Sequence, residues 1–170
     1  MGLAFDGDAD RVAFVDEKGA IIEGSLIGAL LAKHILKKTQ ENKKIVYTVG
    51  CSRIVPEIIK KNKGIPFIEK VGHSFVNARM IKEKAIFGIE HTGHYFYRDN
   101  FFTESAIITS LIVCEILSES DKSLSYMINE LKKYCMTKEI SFAVKNTTQA
   151  MTKIRNKLAS IYDKIDTFDG

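Results

Sequence analysis

No apolar run in the 170 residues reaches the length of a membrane span, and residues 1–5 lack the basic and apolar regions of a signal peptide. The sequence therefore predicts a cytoplasmic chain with no membrane partner. Cysteine is scarce and odd in number. Cys51, Cys114 and Cys135 lie far apart with no Cys-x-x-Cys pair, so they read as reduced thiols, and neither a disulfide framework nor a zinc site is expected. A concentrated charge of one sign is also missing. The net charge of +4 comes from scattered pairs such as Lys37-Lys38, Lys43-Lys44, Lys60-Lys61 and Lys132-Lys133. These read as solvated helix faces and turns. Nucleic-acid binding calls for a basic stripe with interleaved aromatics or arginine, which the chain does not have.

What is present is the 45% hydrophobic and 27% charged composition of a globular protein with enough apolar mass for a core. The length allows one ordinary domain, or one domain with pieces of others. Leu3-Ala4-Phe5 and Val12–Val15 read as strands, and Asp16-Glu17-Lys18-Gly19 as a turn that pairs residues 12–15 with Ala20-Ile21-Ile22. Ser25 is expected to cap a helix with a stripe of Leu26, Leu30, Leu31, His34 and Ile35, where His34 reads as a partly buried helix residue. Residues 44–49, 66–71 and 85–89 read as further strands. Helices are expected between them, the second with Phe75, Val76, Met80 and Ile81 on one face. Strands alternating with helices predict an α/β domain with a largely parallel sheet. In such sheets ligands gather at the loops that follow the carboxyl ends of the strands.

The most unusual stretch is Asp6-Gly7-Asp8-Ala9-Asp10-Arg11, a carboxylate-rich loop between two strands. Crowded carboxylates resist ionisation unless a cation or an arginine offsets their charge. Three of them at alternate positions therefore point to a hard divalent metal held by oxygen alone, Mg²⁺ or Ca²⁺, with Gly7 and Ala9 small enough to let the loop close. Arg11 would face an anion that completes the site. Three other readings stand beside this one. As an EF-hand, the loop has Asp at positions one, three and five and Glu17 at position twelve, but Arg11 sits where the sharp turn needs glycine. As the Asp-x-Asp loop of a haloacid-dehalogenase-type phosphatase, Asp6 would be the nucleophile. The loop also reads as a plain solvated acidic turn.

Three later loops carry polar groups where strands end. Gly50-Cys51-Ser52-Arg53 and Gly72-His73-Ser74 each precede an expected helix N-terminus, where an anion can bind. Glu90-His91-Thr92-Gly93-His94 leaves one strand and enters Tyr95-Phe96-Tyr97. If it is extended, Glu90, Thr92 and His94 share a face, and a carboxylate with a hydroxyl and an imidazole suits the paired hydroxyls and phosphate of a sugar phosphate. A polar hairpin turn around Gly93 is the other reading.

Taken in order and at this spacing, Phe5-Asp6-Gly7-Asp8-Ala9-Asp10-Arg11, Gly72-His73-Ser74 and Glu90-x-Thr92-Gly93-His94 resemble the α-D-phosphohexomutase family, in its phosphomannomutase and phosphoglucomutase branch. The resemblance implies four domains around one cleft, and chemistry that moves phosphate between hexose 1-phosphate and hexose 6-phosphate. That chemistry uses a phosphoserine enzyme and a bisphosphorylated sugar. It further implies Asp6, Asp8 and Asp10 as Mg²⁺ ligands and Arg11 near the phosphoserine phosphate. His73 falls at a position of proton transfer or substrate contact. Glu90, Thr92 and His94 would contact the sugar, Thr92 standing where the family usually has serine, with Gly72 and Ser74 beside them. The implied partners are mannose or glucose 1- or 6-phosphate and the remaining mutase domains.

The chain departs from the family in three places. Gly50 stands where some bacterial members carry a lysine, so no general acid-base role is carried over to it. No Ser-His-Asn-Pro phosphoserine loop and no Arg-x-Ser-x-Thr-type phosphate loop occurs in the 170 residues. By resemblance, residues 1–22 are the end of domain 2 and residues 23–136 are domain 3, a mixed, largely parallel sheet flanked by helices that include a long one from Phe101 to Ser118. Residues 137–170 are the start of domain 4, its first strand and helix. The expectation is the central part of a mutase, inactive alone. A stand-alone sugar-phosphate-binding module is the alternative.

Overall fold

The computed structural model describes residues 1–40, 42–135, 137 and 140–161. The chain opens with a three-stranded antiparallel sheet of β1 (Gly2–Phe5), β2 (Val12–Val15) and β3 (Ile21–Ile22). Along β2 the side chains alternate, and Val12 and Phe14 face inward while Ala13 is exposed. With Ile22 they join the principal core, so the hairpin packs as part of the unit that runs from residue 1 to residue 135.

Helix α1 (Gly24–Lys38) follows, capped by Glu23 rather than Ser25; the Glu23 carboxylate accepts the Ser25 N–H at 2.9 Å. The expected single stripe is too narrow. Ser25 and residues 27–32 are all buried, because helices pack on α1 from several sides and a strand lies against it. His34 is the partly buried helix residue expected, its Nε2 lying 3.0 Å from Glu115 Oε2.

The second sheet runs β5-β4-β6-β7-β8, built from β4 (Lys44–Thr48), β5 (Ile65–Glu69), β6 (Phe87–Ile89), β7 (Tyr95–Tyr97) and β8 (Thr103–Glu104). Strand β4 is parallel to β5 and to β6, while β7 is antiparallel to both its neighbours, β6 and β8, which makes the sheet mixed. Period-two alternation sends Ile45, Phe87, Ile89, Tyr95 and Tyr97 into a core shared with α1, α2 (Ile54–Lys61), α4 (Ala106–Ser118) and α5 (Leu124–Leu131). Val46 and Phe96 point the other way, onto Val76 and Met80 of α3 (His73–Glu83). Phe75 and Ile81, expected on that same face, are exposed. Helix α4 begins at Ala106 rather than Phe101. Phe101 and Phe102 take left-handed backbone conformations, β8 follows, and the Ser105 hydroxyl accepts the Ile108 N–H as the helix cap.

The second unit, beyond residue 135, contributes α6 (Thr147–Leu158), capped by Asn146 and with no buried residue. Its expected first strand is absent among the described residues before the helix. Lys138, Glu139 and residues 162–170 of that expectation lie outside the described residues. Among the described residues, no helix is long and apolar enough to cross a membrane.

A Cβ on Gly28 of α1 would fall 2.4 Å from Ile89 Cγ2 of β6, so glycine sets the helix-to-strand distance. Gly28→Ala is expected to cost about 1–3 kcal/mol, the range for overpacking, read as a lower urea midpoint. An unchanged midpoint would mean that the helix shifts freely. At the β2–β3 turn, the Glu17 carboxylate accepts the Ser125 N–H at 3.2 Å and the Ser125 hydroxyl at the start of α5. The Ser125 and Ser123 hydroxyls hold its pKa at about 2, against an ordinary 4.5. A depressed carboxyl stabilises the fold above its unfolded value and loses that contribution as pH falls through the folded one. Glu17→Gln should therefore lower Tm near neutral pH, with a deficit against the wild type that closes as pH falls from about 4.5 toward 2. A pH-independent deficit would assign the effect to shape rather than charge.

Candidate functional site

Because β4, β5 and β6 are parallel, their carboxyl ends share one edge, and the loops after them meet there. The Glu90 side chain stands at the end of β6 and is only 2% exposed. Its Oε1 accepts the Gly72 N–H at 2.9 Å and its Oε2 takes His94 Nδ1 at 2.8 Å. Burial works to raise the Glu90 carboxyl. The His94 hydrogen bond, the Gly72 N–H and the charges of His94 and His91 outweigh it, and the group lies below the ordinary carboxylate value. Burial likewise works to lower His94, but the Glu90 hydrogen bond and the charges of Glu90, Asp10 and Glu104 carry it above the usual imidazole value. The two form an ion pair between those limits. Protonation of Glu90 below the window, or loss of the His94 proton above it, removes the attraction.

The segment from Glu90 to His94 is a turn rather than an extended stretch. The Glu90 N–H donates to the His94 carbonyl at 3.0 Å, and the Gly93 N–H to the Glu90 carbonyl at 3.3 Å. Gly93 has φ +101°, a conformation that side chains rarely adopt. The expected grouping of side chains survives by another route, since the turn folds Glu90 and His94 onto each other and brings Thr92 Oγ1 to 3.3 Å from His94 Nδ1. Thr92 is exposed. Gly72 is the N-cap of α3, and His73 and Ser74, both exposed, form its first turn, so this loop ends at a helix N-terminus as expected.

The acidic loop is fastened to the same edge. The Val12 N–H donates to the Gly93 carbonyl at 3.3 Å, and His94 Nε2 lies 3.4 Å from Asp10 Oδ2. One carboxylate oxygen from each of Asp6, Asp8 and Asp10 falls within 4.8 Å of the others. The Asp10 Oδ1 atom is buried and accepts no hydrogen bond, with Arg11 Nε at 3.8 Å. Arg11 folds back on Asp6, with its Nε 2.6 Å from Oδ2 and its backbone N–H 3.2 Å from Oδ1, which holds the Asp6 carboxyl below the usual range. Both Asp6 oxygens thus accept from Arg11. The EF-hand reading fails, because Glu17 is committed to Ser125 and the loop is flanked by strands.

Sequence reasoning missed the contacts that seat these loops. The Ser52 N–H donates to Ser25 Oγ at 3.1 Å, joining the β4–α2 loop to the first turn of α1, and the Tyr95 hydroxyl donates to the Gly24 carbonyl at 2.9 Å. The signal available was the small-residue pair Gly24-Ser25, whose buried serine marks a close approach. Cys51 lies beneath this junction, where burial pushes its thiol up to about 12, so it packs rather than reacts.

Residues 23–134 match the family model for phosphoglucomutase/phosphomannomutase, alpha/beta/alpha domain III. The chain is 38% identical to a phosphomannomutase of Methanocaldococcus jannaschii and 34% identical to one of Escherichia coli, in both cases over its whole length and over 37% of theirs. The crystal structure of a phosphoglucomutase/phosphomannomutase family protein from Burkholderia thailandensis superposes with a TM-score of 0.82 at 28% identity, over 99% of this chain and 36% of that one. The chain therefore spans little more than a third of the relatives it matches. On the match across residues 23–134, the chain belongs to the phosphoglucomutase/phosphomannomutase family.

Proposed function

We propose that the chain supplies the metal loop and the sugar-reading loops of a cytoplasmic phosphohexomutase that interconverts hexose 1-phosphate and hexose 6-phosphate through a phosphoserine and a bisphosphorylated sugar. The observation that carries this reading is the buried Glu90 carboxylate, which ties Gly72 to His94, while His94 in turn meets Asp10. In this assignment residues 1–22 are the end of domain 2, residues 23–136 are domain 3 and residues 137–170 are the start of domain 4.

The acidic loop fits Mg²⁺. It offers only carboxylate oxygens, they converge, and Asp10 Oδ1 is a buried acceptor that a cation would satisfy. Asp6, Asp8 and Asp10 are the proposed ligands, and Mg²⁺ held there would offset charge on the transferring phosphoryl oxygens. Arg11 adds a guanidinium at the same loop to bind those oxygens. Glu90 accepts from sugar hydroxyls through its remaining lone pairs, with Thr92 and His94 beside it. The α3 N-terminus, with Gly72, His73 and Ser74, is assigned to the sugar phosphate, where first-turn backbone N–H groups and the His73 imidazole would donate, and His73 to proton transfer or substrate contact.

No phosphoserine-type loop occurs in the 170 residues, so the chain alone should bind hexose phosphate weakly, in about the millimolar range, without turning it over. A coupled assay showing hexose 1- to 6-phosphate turnover by the purified chain would overturn that expectation. Calorimetry should find weak Mg²⁺ binding that Asp8→Ala abolishes; binding unchanged in the variant would remove the loop from the metal site. In a full-length mutase carrying these residues, Glu90→Ala should lower kcat/KM at least about tenfold for gluco and manno substrates alike, the loss expected of a charge-assisted hydrogen bond. Glu90→Gln should fall between, since it keeps an acceptor for Gly72. Full activity in the alanine variant, with the fold verified by circular dichroism, would refute the sugar-reading role.

A further inference from the structure

Gly50 stands at the turn after β4, and the space above it is filled from another loop. A Cβ built on Gly50 would lie 2.5 Å from both Cε1 and Nδ1 of the His91 imidazole. The glycines with left-handed backbone are Gly19, Gly72 and Gly93, so Gly50 answers to space rather than to conformation. The backbone of His91 is held equally closely on its other side, since a Cβ on Gly24, at the first turn of α1, would fall 2.2 Å from the His91 carbonyl oxygen. Two glycines on two separate elements thus seat one histidine between Glu90 and Thr92.

The seat lies on the substrate edge rather than in the core. It spans the adjacent carboxyl ends of β4 and β6, His91 is half-buried, and its charge reaches the Glu90 carboxylate. Of the four histidines in the chain, three belong to loops on this edge. His94 is committed to Glu90 and Asp10, and His73 opens α3. Of these three, His91 is the one whose ring packs on Gly50 of the β4–α2 loop.

We propose that His91 is a further substrate-contacting residue, whose imidazole, seated on Gly50, hydrogen-bonds an oxygen of the bound hexose phosphate from the β4 side of the edge. This rests on the sugar-phosphate reading above. It makes positions 50 and 91 one functional unit, because any side chain at 50 evicts the ring at 91.

The test is an NMR titration of the 170-residue chain with glucose 1-phosphate, following the histidine Cε1–Hε1 signals, assigned by single substitutions, together with the backbone amides. The His91 ring signal should move saturably, with the same dissociation constant as the amides from Glu90 to His94. His91→Ala should weaken binding about tenfold and His91→Gln less, since the amide side chain keeps a donor. Gly50→Ala should weaken binding about as much as His91→Ala, and the double variant no more than either single one, because both remove the same contact. Amide movement with a stationary His91 ring, or additive losses in the double variant, would overturn this proposal and leave the sugar-phosphate site standing. No movement in any loop would overturn both. The wild-type ring signal decides the matter even if either variant folds poorly, which its amide spectrum would reveal.

Discussion

One buried carboxylate holds the functional edge together. An ionised Glu90 withdrawn from water would cost several kcal/mol if left alone, and such a group is stable only when its oxygens are taken up by donors and its charge is matched. Gly72 supplies a backbone donor from the loop before α3, and His94 supplies a charged one from the far side of the turn. Because His94 also faces Asp10, the same charge chain extends to the acidic loop. Loops that are distant in sequence are thereby held to one another by electrostatics rather than by apolar contact, and the positions of Gly72, His94 and Asp10 cannot be varied independently.

The sheet makes that chain possible. Only the parallel part of a mixed sheet delivers consecutive loops to one edge, and β5-β4-β6 is that part. The antiparallel return from β6 into β7 is what forces the tight turn at Gly93, and the turn rather than an extended strand brings Glu90 and His94 together. The β1–β2 hairpin then docks its acidic loop through the Val12 to Gly93 hydrogen bond and the His94–Asp10 contact, while Val12 and Phe14 drive its inner face into the core. Packing sets where the hairpin lies, and hydrogen bonding sets which of its residues face the edge.

What was legible in the sequence was whatever local chemistry determines. The strands at 2–5, 12–15 and 44–48 follow from apolar patterning, and the acidic loop stands out because three carboxylates at alternate positions have no local partner but Arg11. The misses were tertiary. Helix α1 shows a stripe in sequence but is buried on several sides, because three other helices share its core. Apolar Phe101 and Phe102 continue the composition of α4, although both sit in left-handed backbone that ends any helix. Ser25 has the chemistry of a cap, yet its hydroxyl serves Ser52 across the fold while Glu23 caps the helix.

That last exchange explains why core and site are hard to separate here. The N-terminus of α1 carries the partial positive charge of its unpaired N–H groups, and Glu23 offsets it locally. From the same turn, Ser25 holds the β4–α2 loop and the Gly24 carbonyl accepts the Tyr95 hydroxyl at the exit of the Glu90–His94 turn. One turn of helix is therefore hydrogen-bonded to two site loops, while the rest of α1 is fixed by buried apolar side chains and by the close approach of Gly28 to Ile89. Sliding α1 along β6 would relieve no single contact without straining both loops. The precision of this loop edge is accordingly set by the packing of this helix as much as by the polar residues on the edge itself.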